Sequence, residues 1–156
     1  MTLEESREMA KVMDRGRAAI MEASRRGEIT ADDVARLRRE IFVEGFVSRD
    51  EADALFALER ATTRKCAEWT PFFVEAITDH VVWQTRPTGV VNEAQGEWLI
   101  ARADEVSSLN GLAVLVNVMA EAHRVPMWFL AAVRARAARN WPGVAQARAE
   151  ALAEAA

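Results

Sequence analysis

Apolar residues recur along this chain at three- and four-residue steps, and that period predicts helices almost throughout. In the first helix the stripe is Met9, Val12, Met13, Gly16, Ala19, Ile20 and Ala23. It opens at Thr2, whose spacing to Glu5 is that of a capping box, and Gly27 ends it after Arg25 and Arg26. Thr30 with Asp33 repeats the capping logic in a shorter form, and the helix that follows turns Val34, Leu37 and Ile41 inward before Gly45. Ser48 with Glu51 opens a third helix, in which Leu55, Leu58, Thr62 and Cys66 lie close to one side, placing Cys66 in the core.

A fourth helix is expected after Thr70, with Pro71 at its first position, where a missing N–H costs nothing. Its Phe72, Phe73, Ala76, Ile77, Val81 and Val82 make it apolar on more than one side, as is the sixth helix, LAVLVNVMAEA, so these two are expected to pack at the centre. Between them Asn92 opens a fifth helix carrying Trp98, Leu99 and Ala103, and Ser107 is read as the start of the sixth. Pro126 begins a seventh that runs toward Asn140, Pro142 and Gly143. The expected fold is an all-α bundle of about seven helices, a single domain over residues 1–143, followed by an Ala-rich tail over 144–156.

Four turns read alike: Gly27-Glu28-Ile29-Thr30, Gly45-Phe46-Val47-Ser48, Gly89-Val90-Val91-Asn92 and Asp104-Glu105-Val106-Ser107. The glycine suits the left-handed end of one helix, the β-branched residue anchors the turn, and the final residue caps the next helix. Gly27 to Gly89 is 62 residues and Gly45 to Asp104 is 59, the signature of a tandem duplication of about 60 residues or of repeated capped turns that converge on one pattern.

Composition narrows the function. The chain has 156 residues, 51% hydrophobic and 28% charged, with a net charge of -4, so nucleic acid gains no support as a partner. One cysteine, Cys66, excludes an intrachain disulfide and points to the cytoplasm; the longest apolar stretch, near Leu112 to Ala120, is too short to span a bilayer.

The turn Glu44-Gly45-Phe46-Val47-Ser48 with EWTPFFVEAITDHVV, GVVNEAQGEWL and AHRVPMWFLAAV resembles a family of uncharacterised, all-helical alphaproteobacterial proteins over roughly residues 30 to 135. More distantly the turns are similar to those of TerB-like tellurite-resistance domains and of EF-hand-like helical pairs. The closer resemblance implies an all-helical fold and brings no activity with it. The distant one implies acids before the glycine, where this chain has Arg26, Glu44, Thr88 and Ala103.

No calcium loop of alternating oxygen ligands is present, nor a phosphate-cradling glycine loop, a nucleophile elbow or a Cys-x-x-Cys pair, so no cofactor is implied. Asp32, Asp33, Asp50 and Glu51 sit where acids favour helix starts. The best metal or proton-transfer candidates are Glu75, Asp79 and His80 on the fourth helix with His123, which lies with Glu121 late in the sixth, although bundle metal sites use a Glu-x-x-His spacing that is missing here. Five tryptophans are expected mostly in the core, while Trp128, Arg134, Arg136 and Arg139 form a basic amphipathic face suited to an acidic partner or an anionic membrane. The reading that fits best is a cytoplasmic protein-binding or scaffold module, with self-association as a homodimer one form of it. The alternatives are a metal-responsive TerB-like protein and a hydrolase with an unrecognised carboxylate pair.

Overall fold

A computed structural model describes residues 2–41, 45–138 and 153, with the side chains of residues 8–15 left out. The fold is all-α, and the chain divides into two compact units, residues 1–76 and 77–156. The division falls inside the fourth helix.

In the first unit α1 (Leu3–Arg26) starts on a complete capping box between Thr2 and Glu5 and ends at Gly27 with φ 69°. The predicted Met9, Val12 and Met13 lie outside the described side chains, but Ala19, Ile20 and Ala23 are buried as the stripe requires. A two-residue strand β1 (Glu28–Ile29) leads into α2 (Ala31–Ile41), whose Val34, Leu37 and Ile41 are buried. The Thr30 box closes despite the shorter acid: the Thr30 N–H donates to Asp33 Oδ2 at 2.9 Å, and the Asp33 N–H donates to Thr30 Oγ1 at 3.2 Å. The third helix, α3 (Arg49–Ala61), begins on the Ser48–Glu51 capping box.

Beyond α3 the helical stripe that placed Cys66 in the core breaks. Thr62 caps the helix in extended conformation, the chain pairs as β2 (Arg64–Lys65), and Cys66 follows that strand half-buried. The reason is the demand of β1 for a partner. β1 and β2 run parallel, the Gly27 carbonyl accepts from the Thr63 and Arg64 N–H groups, and the Cys66 N–H donates to the Ile29 carbonyl at 2.9 Å. Next, α4 (Trp69–Thr78) starts two residues before Pro71, which stands in the first turn, where its missing N–H would be unpaired anyway. Trp69, Phe72 and Phe73 are fully buried, with Trp69 stacked on Phe73 and Phe73 edge-on to Phe56.

The second unit opens with a π-helical turn, Asp79–Trp83, closed by the Gln84 N–H donating to the Asp79 carbonyl at 2.9 Å. After it come α5 (Glu93–Val106), α6 (Leu109–Glu121) and α7 (Met127–Ala138). Asn92 caps α5 as expected, but the Gln95 amide turns away from that cap and donates to Thr85 Oγ1 at 2.9 Å. The start of α6 corrects the sequence reading by one residue. Ser107 ends α5 in left-handed conformation (φ 44°), and the side chain of Ser108 accepts from the Gly111 N–H to cap α6. Ser107 thus does the work that Gly27, at φ 69°, does at the end of α1. Packing on α6 within this unit are α5, α7 and the π-helical turn.

Each unit joins its two helix-to-helix turns in the same way. In the second, the Gly89 carbonyl accepts from the His123 N–H at 2.7 Å and the Arg124 N–H at 3.3 Å, and the Val91 N–H donates to the Arg124 carbonyl at 3.0 Å. The two bonds to the Gly89 carbonyl match those to the Gly27 carbonyl; the third differs, Val91 donating to the Arg124 carbonyl in the second unit where Cys66 donates to the Ile29 carbonyl in the first.

Candidate functional site

The acidic and histidine candidates each have structural partners. Glu75, in the first unit, is about half exposed and accepts from Arg38 Nη1 at 2.9 Å, while the Arg38 guanidinium lies 5.3 Å from the centre of the Phe72 ring. Asp79, His80 and His123 belong to the second unit. His80 is buried, edge-on to Trp98 at 5.3 Å, and its carbonyl accepts from the Gln95 amide. His123 is exposed, edge-on to Trp83 at 6.1 Å, and its ring covers Gly89 so closely that a Cβ there would come within 2.5 Å of it. Among the described residues no group of three or more His, Cys, Asp or Glu side chains is placed to hold one metal ion.

Nearby, Glu121 accepts from the Trp83 indole N–H and from the Asn117 amide, both at 2.8 Å, and Asn117 also donates to Thr78 Oγ1 at 2.9 Å. One carboxylate oxygen thereby joins α6 to Trp83 of the π-helical turn, and the other is held by Asn117 within α6.

The first unit hides one further carboxylate. Glu59 is only 2% exposed at its side chain, accepts from the Trp69 indole N–H at 2.8 Å and lies 3.8 Å from Lys65 Nζ. Lys65 in turn donates to the Thr62 carbonyl at 2.6 Å. This network fastens α3, β2 and α4, and its residues are spoken for structurally. Burial, with Glu68 alongside, pushes the Cys66 thiol above its ordinary value, which keeps it protonated and a poor nucleophile.

The predicted basic face resolves into separate parts. Arg136 is 13% exposed and grips Asp104 with two bonds of 2.6 Å, and that hydrogen bonding raises its pKa further. The Trp128 indole N–H donates to Glu93 at 2.6 Å, and its ring and that of Phe129 lie against Gly96, where α5 and α7 approach closely. Arg134 is exposed on α7, and Arg139 lies outside the described residues. Two of the four therefore fasten α7 to α5. The tryptophans also depart from expectation. Of the four described, only Trp69 is fully buried; Trp83 and Trp128 are 38% and 36% exposed, Trp98 is half-buried, and Trp141 lies outside the described residues.

The surface that the sequence reading passed over is the outer face of α6. Leu112, Val114, Leu115 and Val118 are buried, yet Leu109 and Val116 remain 46% and 51% exposed. Ala113 is half-buried and Ala120 exposed. Leu109, Ala113, Val116 and Ala120 follow steps of four, three and four, so they form one stripe. The signal in the sequence is a helix apolar on more than one side, which a central position also explains.

Comparison with protein-family models, with curated proteins and with solved structures finds no match for this chain. No helix among the described residues is long and apolar enough to cross a membrane.

Proposed function

We propose that this chain is a cytoplasmic helical protein-interaction module. One observation carries the reading: α6 has a second apolar stripe, on the side away from the core of its unit, with no charged residue between Leu109 and Ala120. A packed partner on this face would take the exposed halves of Leu109 and Val116 out of water. The candidate chemical groups, by contrast, are held in caps, ion pairs and ring contacts. A lone cysteine, with no second to pair with in the chain, suits a reducing compartment.

The test pairs mass in solution with partner retention from native extract, for the natural chain and for Val116→Glu. Retention of a defined partner, or self-association, that Val116→Glu abolishes without unfolding supports the module. A strictly monomeric chain that retains nothing overturns it.

A second reading, a metal-responsive protein similar to TerB-like or EF-hand-like helical pairs, draws on the turns joined in pairs within each unit. Metal analysis of the purified chain decides it, stoichiometric metal being the required result. The matching bonds at Gly27 and Gly89 also support descent of the two units from a tandem duplication.

A further inference from the structure

We infer that the partner of the outer α6 stripe is a second copy of this chain, the two α6 helices packing antiparallel about a two-fold axis. This rests on the interaction-module reading and names its occupant.

The stripe is self-complementary in only one direction. Its residues alternate large and small: Leu109, Ala113, Val116, Ala120. With two helices antiparallel and the axis passing between Ala113 and Val116, Leu109 of one copy meets Ala120 of the other, and Ala113 meets Val116. Every contact then sets a large side chain against a small one, the pairing that interdigitates best. Parallel pairing sets Leu against Leu and Ala against Ala, which leaves gaps at the alanine layers.

Charge points the same way. No charged side chain interrupts α6 from Leu109 to Ala120, so nothing is desolvated unpaired when the faces close. The first turn of α6 carries no acid and the last no base, and the helix ends in Glu121, so beyond the neutral Ser108 cap no side-chain charge offsets its dipole. An antiparallel neighbour brings the negative end of one helix beside the positive end of the other.

The seam covers three turns, well short of the roughly 1,200–2,000 Å² of a stable interface, so the dimer is weak and concentration-dependent. Sedimentation equilibrium from about 10 µM to 1 mM brackets that regime. The natural chain is expected to dimerise reversibly, and Val116→Glu to weaken dimerisation at least about tenfold with unchanged circular dichroism and melting temperature. Ala113→Val and Val116→Ala each weaken it, by crowding and by a gap. The double variant A113V/V116A restores large against small and should recover association to within about threefold of the natural chain.

In a Cys66→Ser background, Ala113→Cys mixed with Val116→Cys should cross-link on mild oxidation, more readily than either alone. A dimer indifferent to Val116→Glu, or a double variant no better than the singles, overturns the seam. A chain monomeric throughout, whose extract partner is retained and lost with Val116→Glu, overturns the second copy but leaves the module standing. A monomer that retains nothing overturns both.

Discussion

Asp33 shows how much one side chain can be asked to do. It closes the Thr30 cap and pairs with Arg26; burial works to raise its pKa, but the hydrogen bonds from Arg26 and Thr30 outweigh it and hold the carboxyl below its ordinary value. A group depressed by folding contributes stability that is present above its unfolded pKa and lost as pH falls through the folded one. Asp33→Asn should therefore flatten the loss of stability below about pH 4, measured by denaturant unfolding across pH. Glu59 makes the opposite case. Removing it as Glu59→Ala leaves the Trp69 indole N–H and Lys65 without their buried partner, and about 3 kcal/mol of stability should be lost. Glu59→Gln, which can still accept from Trp69, should cost less, and urea unfolding of the two separates lost charge from lost hydrogen bond.

The turns decide where elements stop, and two of them can be tested directly. Gly89 has φ 80° and lies under the His123 ring, 2.5 Å from where a Cβ would stand. Gly89→Ala should cost about 1–2 kcal/mol for the left-handed backbone, with a further loss for displacing His123 from the turn it bridges. Thermal unfolding measures that cost. Ser107 holds a left-handed conformation without being glycine, its hydroxyl donating to the Asp104 carbonyl at 2.6 Å. Ser107→Gly should stabilise by about 0.5–1 kcal/mol, whereas Ser108→Ala, which removes the α6 cap, should cost about 1 kcal/mol. Had Ser107 been the cap, the order of the two effects would reverse.

Across the whole molecule, the same arrangement of helix, paired turn and helix occurs in residues 1–76 and again in 77–156. Acids stand at helix starts and in ion pairs, and among the described residues no three ligand-type side chains form a cluster. Addition of calcium, magnesium, manganese or zinc ions should accordingly leave the melting temperature unchanged to within about 1 °C, since only a ligand that binds the folded chain shifts it. A rise of several degrees with one of these ions would favour the metal-responsive reading instead.

What the sequence determined by itself is local. Period and capping residues set the starts of α1 to α3 and of α5 to α7 to within a residue or two, because those signals act through neighbours three or four positions away. The buried faces of α2 and α4 followed for the same reason. Tertiary structure decided whatever depends on a distant partner. It took Cys66 out of its stripe, because β1 required β2; it spent Arg136 and Trp128 on Asp104 and Glu93, thirty-odd residues away; and it left Leu109 and Val116 of α6 exposed. An apolar residue looks the same in sequence whether it faces a core or a partner. Only the packing of α5, α7 and the π-helical turn on α6 chooses the face left exposed.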